Sequence, residues 1–544
     1  MAETVIQSTE PTEARGVVLR DLAVIAGCFA GLSAIYWTAV LVVCGGPGFP
    51  LDDSFIHLQF ARNFYEHGQM AFKPGVPSSG STAPMYAVLI AGAYHLVRNW
   101  YLASHLLGGL CSLGTAMAVY GITHSWTGRR NLARWAGLLT VFAAPTVVQA
   151  YSGMESAAYS LFFLVGLWLY GFDSRRLFGS AVLALTIWLR PELACLCPLI
   201  LLERAVATRR RGGRWLAAWL ADAWPHLLIW VAMALAYMSY HWHQDQHLVP
   251  STFAAKVLVP FTAKPAWMDN LPTAAQNHRW GMALLAMTVW PFLVLLAVGV
   301  GIGTICAPLA FGLREAIVGR WRGAGPAAAG WRLAIMTLIG YPFLRGMVDT
   351  LGVLWFQQHR YYAHLTPLAI LLVLGALPIT GAVVKRGRWN WSGVSLALQA
   401  RRTLRWACLY SLVLGVISVI SVSNITSMQV EIAEWLREDT TEGELIATND
   451  IGAIGFISRR PILDTVGLVE PGLVEHVLSG GDLLEYLQER KPARVVIFPN
   501  WYKKLSARRD LLEPIHDVKL DYNIICGGPR MVVYRPLWRR SGSE

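Results

Sequence analysis

Long apolar runs separated by short polar segments dominate the chain. They lie at about 20–43, 102–124, 133–150, 157–171, 177–190, 193–203, 224–240, 282–305, 331–350, 362–380 and 402–421. Many approach the roughly 20 residues needed to cross a hydrocarbon core, and together they predict about eleven transmembrane helices. The runs 177–190 and 193–203 are short and meet at Arg190-Pro191-Glu192. That spacing predicts a hairpin crossing only part of the way, with a salt bridge at the break. Residues 83–97 are also apolar but short. If they spanned, the basic segment Arg129, Arg130 and Arg134 would fall outside. Placed beside the interface, they leave every later basic loop inside, which the positive-inside rule favours. The tail 1–19 is then cytoplasmic and the loop 45–82 external.

From about 422 the long runs stop. Residues 429–438 read as an amphipathic helix, 444–448 and 494–498 as strands, 483–488 as a helix, and 523–534, around Gly527-Gly528-Pro529, as a hairpin. The fold class is a polytopic α-helical membrane domain (20–421) followed by an external C-terminal α/β domain (422–544), the latter long enough to fold as a unit.

Composition agrees with a bilayer as solvent. Hydrophobic residues make up 55% and charged ones 15% of the 544, against about 25% charge in soluble chains; mean hydropathy is +0.42. The net charge of +12 comes from basic residues in short loops, so it reports topology and not nucleic-acid binding. Beyond Cys195-x-Cys197, which sits in an apolar run, the eight cysteines show no metal-type spacing, and six lie in apolar runs, where they read as small hydrophobes. The first run is too long for the apolar core of a cleavable signal peptide.

Chemistry concentrates in the external loops. Asp52-Asp53 follows the first span and opens an amphipathic helix. A carboxylate there suits a general base acting on a hydroxyl; a pair suits a divalent metal, the only cofactor the sequence suggests; and either suits a solvated helix N-terminus. Glu155 lies in the turn Tyr151–Ser156, as an acid or as part of an N-terminal cap. Lys256 follows Pro250-Ser251-Thr252, and Arg360 lies in Gln357–Tyr362. Cations at a membrane mouth snorkel or bind phosphate. Under one topology these acids and cations share one membrane face, as transfer from a lipid phosphate to an aqueous acceptor requires.

Asp52-Asp53-Ser54-Phe55-Ile56, with Phe60-Ala61-Arg62-Asn63 and Gly80-Ser81-Thr82-Ala83-Pro84-Met85-Tyr86, resembles a stretch of the GT-C membrane glycosyltransferases. It is most similar to that of the AftB-type arabinofuranosyltransferase group. Ser152–Ser156, Leu189–Glu192, Pro250–Lys256, His359-Arg360-Tyr361 through Pro367, Asn449–Gly455 and Ile462–Leu468 match further motifs of that group, so the likeness covers nearly the whole chain. The chain departs from it at His57-Leu58-Gln59, Met154 and Ser251. The resemblance implies a GT-C fold and inverting transfer of a sugar, such as arabinofuranose, from a polyprenyl-phosphate donor. The acceptor would be a glycan, glycolipid or exported protein on the outer face of a bacterial cytoplasmic membrane. It implies Asp52 or Asp53 as base, Glu155 as supporting acid, and Lys256 and Arg360 as donor-phosphate ligands. Arg62, Asn63, Thr82, His359 and Tyr361 become candidate substrate contacts. The alternatives are a transporter or flippase of lipid-linked sugars, or a non-catalytic binding relative. Transporters often carry internal repeats, and this sequence shows none.

Overall fold

The computed structural model describes residues 11–209, 215–252, 327–348, 360–372, 374 and 396–538. The predicted span 282–305 lies outside them. The membrane part begins with α1 (Pro11–Cys44), α2 (Asp53–His67), α3 (Pro84–Val97), α4 (Trp100–Thr127) and α5 (Arg130–Phe142). It continues with α6 (Ala144–Ala150), α7 (Ser156–Tyr170), α8 (Arg176–Leu185), α9 (Leu196–Arg209) and α10 (Trp215–Asp245). The helices Ala328–Val348 and Leu396–Ile425 follow. Among the described residues, four helices are long and apolar enough to cross a bilayer: Gly16–Cys44, Trp100–Thr127, Trp215–Asp245 and Ala407–Asp439.

Several boundaries differ from the sequence pattern. α1 starts at Pro11, well ahead of 20. The run 133–150 is two helices, because its second part opens on Ala144-Pro145; proline has no N–H to continue the preceding ladder and suits a first turn. The amphipathic segment 429–438 is no separate helix. Leu396–Ile425 passes through a π-helical turn, Thr426–Val430, into Glu431–Asp439, so a membrane helix runs directly into the C-terminal region.

That region is built on a five-stranded sheet ordered β2-β1-β3-β5-β4. Its strands are β1 (Ile446–Thr448), β2 (Ile462–Asp464), β3 (Arg494–Ile497), β4 (Leu512–Lys519) and β5 (Arg530–Pro536). β1 pairs in parallel with β2 and β3, while β5 pairs antiparallel with β3 and β4. Alternate residues face opposite ways along a strand. Val496 and Val533 join the core shared with the helical bundle, whereas Val495, Ile497, Val532 and Tyr534 join Tyr486 and Leu487 on the other face. The hairpin is therefore real but starts earlier than 523. Its first strand is Leu512–Lys519, with a register irregularity at Pro514, and 523–526 lies in the connection. An edge strand tolerates proline where a central one would lose a ladder bond.

α2 is the element between these two parts. Asp53 lies in its first turn, and Gly68 closes it in the left-handed conformation at φ 67°. Every residue from Ser54 to Asn63 except Ile56 is buried, as a helix packed on all sides must be. Its neighbours are α3 and the helix Ile451–Ser458, which follows β1.

Candidate functional site

The turn before α7 lies against the start of α2. Gly153 adopts φ +72°, and a Cβ there would lie 2.5 Å from the Phe49 ring and 2.8 Å from Ser54 Cβ. Only glycine takes both that conformation and that approach without strain. Ser54 Oγ donates to Ser152 O at 2.6 Å, fastening the turn. Glu155 is thereby brought to α2, with its Oε2 2.9 Å from His57 Nε2. Its Oε1 is 2.6 Å from Arg190 Nη2. Arg190 also reaches Glu192 at 3.2 Å, and Arg345 stands 3.7 Å from the same Glu192 oxygen. Burial would raise the Glu155 carboxyl, but Arg190, His57 and Arg360 outweigh it and hold the group well below the usual carboxylate range.

Arg360 enters from the opposite side of the sequence. Its carbonyl accepts the Tyr159 hydroxyl, which in turn accepts Ala363 N–H at 3.1 Å, so the backbone is pinned to α7. The guanidinium is buried, and its Nη1 lies 2.8 Å from Asp53 Oδ2. The Asp53 side chain remains 37% exposed. Arg360 Nη2 donates to the Tyr361 hydroxyl at 3.1 Å. Three guanidinium carbons surround the Tyr361 ring: Arg190 at 4.3 Å from the centroid, Arg345 at 5.0 Å and Arg360 at 5.0 Å. An aromatic face is a favourable surface for such cations. Among these groups, three arginines stand against Glu155, Glu192 and Asp53, so the cluster is close to neutral.

The two adjacent acids have different surroundings. Asp52 is itself helical, at φ −62° and ψ −38°, and makes no side-chain bond to its own helix. Instead its Oδ2 accepts Gly452 N–H at 2.7 Å and its Oδ1 accepts Ala453 N–H at 2.8 Å. The solvated N-cap considered from sequence is thus replaced by a half-buried contact with a helix about 400 residues away. Burial pushes the Asp52 carboxyl up, the nearby Asp450 adds to the rise, and the two N–H bonds oppose it. Asp450 is itself pushed up to about 6 by burial, although Gln429 and Asn449 both donate to it.

The remaining candidates divide. Arg62 Nη1 donates to Phe456 O at 2.7 Å, and its guanidinium carbon lies 4.5 Å from the Phe456 ring centroid. Burial lowers its pKa to about 10, with Arg459 adding to the effect. Asn63 Nδ2 donates to Ala71 O at 2.8 Å and Phe72 O at 2.9 Å, while Thr82 O accepts the Tyr237 hydroxyl at 3.2 Å. Arg62 and Asn63 therefore direct their polar ends at protein partners. Tyr361 lies within the charged cluster. Lys256 and His359 lie outside the described residues. Among those described, no group of three or more His, Cys, Asp or Glu side chains is placed to hold a metal ion. Sequence reasoning read Arg190 only as a salt-bridge partner of Glu192 and His57 only as a departure from a motif, and it passed over Arg345, a charge inside the apolar run 331–350.

A family profile described as a domain of unknown function (DUF8728) matches residues 423–534. No curated protein matches the chain. Among solved structures, ArnT from Cupriavidus metallidurans bound to undecaprenyl phosphate is similar at 14% identity and a TM-score of 0.57, over 93% of this chain and 97% of that one. The same protein in the apo state gives 14%, 0.56, 96% and 98% in the same order. The archaeal oligosaccharyltransferase AglB from Archaeoglobus fulgidus, in complex with an inhibitory peptide and a dolichol-phosphate, gives 12%, 0.50, 89% and 69%. The chain shares the fold of these solved structures, and four helices among its described residues are long and apolar enough to cross a bilayer. Likeness at such identity carries the architecture and leaves the donor sugar open.

Proposed function

We propose that this chain is an inverting glycosyltransferase that takes a sugar from a polyprenyl-phosphate donor on the outer face of a bacterial cytoplasmic membrane. The observation that carries the reading is the pairing of Asp53, a partly exposed carboxylate, with the buried Arg360 at 2.8 Å, on a fold shared with a protein solved with undecaprenyl phosphate bound. Donor phosphate oxygens replace Asp53 on Arg360, assisted by Lys256. Asp53, released from the cation, accepts the acceptor hydroxyl proton. The acceptor oxygen bonds to the anomeric carbon as the bond from that carbon to the phosphate oxygen breaks, and polyprenyl phosphate leaves with the electron pair. Arg360 stabilises the charge developing on that oxygen in a partly dry site. Glu155, fixed by His57 and Arg190, holds the cations around Tyr361 in place. An arabinofuranosyl donor is suggested by the sequence resemblance alone. The acceptor is a cell-envelope glycan, a glycolipid or an exported protein.

Undecaprenyl phosphate tests the phosphate half of this reading without a sugar. Purified protein in nanodiscs should bind it, and Arg360→Gln should weaken binding at least 10-fold, a loss of about 1.4 kcal/mol or more. Equal affinity in the two proteins would remove Arg360 from the donor site.

A further inference from the structure

The helix Ile451–Ser458 belongs to the C-terminal region, yet it meets α2 at both ends of its own length. At its N-terminus Gly452 and Ala453 N–H groups are taken by the two oxygens of Asp52, at 2.7 and 2.8 Å. Toward its C-terminus the Phe456 carbonyl is taken by Arg62 at 2.7 Å. Acceptor oxygens at the start of a helix and a cation near its end both match the helix dipole. The approach at Gly452 is close enough to exclude a side chain. A Cβ there would lie 2.0 Å from the Asp52 backbone oxygen and 2.6 Å from its Oδ2. Gly455 receives Phe72 in a similar way, its added Cβ lying 3.0 Å from the ring edge.

Asp52 is covalently next to Asp53, and their Cα atoms are about 3.8 Å apart across one peptide. Whatever fixes Asp52 therefore fixes the backbone from which Asp53 reaches Arg360. We infer that the C-terminal domain is a working part of the transfer site: through Gly452 and Ala453 it holds Asp52, and Asp52 is a positioning residue for the Asp53 carboxylate. The inference rests on the reading of Asp53 as the base. It gives the region 423–534 a role that requires no substrate contact of its own.

The test uses the full chain in nanodiscs and five variants, Asp53→Asn serving as the reference for loss of the base. Asp52→Asn is isosteric but sets an amide donor against one of the two N–H groups. Gly452→Ala forces the helix and Asp52 apart. The double variant removes the same contact once. Leu487→Ala creates a cavity on the far face of the sheet, where Leu487 is fully buried, and leaves the Asp52 contact alone. Misplacement of a reacting group by about 1 Å costs on the order of 100-fold in rate. Asp52→Asn and Gly452→Ala should each lower kcat for transfer toward that amount, with donor KM and undecaprenyl phosphate binding at wild-type values. The double variant should be no worse than the more damaging single, because both act through one contact. Leu487→Ala should lower thermal stability without that loss of kcat. Wild-type kcat in either single variant, additive losses in the double, or an equal fall in Leu487→Ala overturns the inference. If Asp53→Asn is inactive while Asp52→Asn and Gly452→Ala turn over normally, this inference fails and the transferase reading stands. An active Asp53→Asn defeats both.

Discussion

Glu155→Gln removes one charge from a buried cluster at nearly constant shape. The Glu155 side chain is 1% exposed and that of Arg190 8%, at 2.6 Å from each other. Removing one partner of a buried pair costs roughly 3–5 kcal/mol, mostly as an uncompensated charge. Arg190 keeps Glu192 at 3.2 Å and the Tyr361 ring at 4.3 Å, which places the expected loss near the lower end, about 3 kcal/mol. Three arginines would then face two acids. Removing Arg190 as well, in Glu155→Gln/Arg190→Met, leaves Arg345 and Arg360 against Glu192 and Asp53, so balance returns. The double variant should be less destabilised than the sum of the singles, with a coupling of about 1–3 kcal/mol. Urea titration in detergent micelles, followed by the fluorescence of the 23 tryptophans, measures each variant. A Glu155→Gln protein within about 0.5 kcal/mol of wild type, or strict additivity in the double, would refute the view of Glu155 as the charge that holds the arginines together.

Three further outcomes are expected. Arg62→Met keeps bulk but loses the charge-assisted bond to Phe456 O; it should cost about 2 kcal/mol and speed proteolytic cleavage within the C-terminal domain. Asp464 is fully buried and accepts Val466 and Val469 N–H, and burial pushes its carboxyl from 3.8 up to about 6. A raised folded-state value favours the folded state below about pH 4, and that contribution, roughly 3 kcal/mol, is lost as pH rises to about 6; Asp464→Asn should flatten this part of the stability–pH curve. Gly153→Ala should destabilise by roughly 2 kcal/mol or more, since φ +72° and the Phe49 ring both oppose a side chain; an unchanged unfolding midpoint would contradict the proposed fastening of the Glu155 turn.

Much of the site could be read from residue types alone because its key members are charges in uncharged surroundings. Asp53 and Arg360 belong to stretches singled out on that ground, and the structure brings them to 2.8 Å. Glu155 stood out in the same way, but its partners did not. His57 looked like a departure from a motif, and Arg190 looked like half of a local bridge to Glu192. Both are set by contacts across the bundle that no periodicity encodes. Asp52 is the clearest case. Its neighbour in sequence faces the cluster, while its own carboxylate closes on a helix of the C-terminal region. In that region the short apolar run Val495–Phe498 identified β3, whereas the hairpin was misplaced because Pro514 obscured an edge strand. The helix break at Ala144-Pro145 was legible as proline and overlooked within an apolar run.

The most direct measurement is sugar transfer by the purified chain in nanodiscs, supplied with a panel of polyprenyl-phosphate sugars that includes an arabinofuranosyl donor, with Asp53→Asn beside the wild type. The wild type should consume one donor with inversion at the anomeric carbon. Asp53→Asn should retain undecaprenyl phosphate binding and lose turnover by about 100- to 10,000-fold, the usual range for a general base. Full turnover in Asp53→Asn would contradict the assignment of the base. Tight donor binding by the wild type with neither transfer nor hydrolysis would contradict the transferase itself.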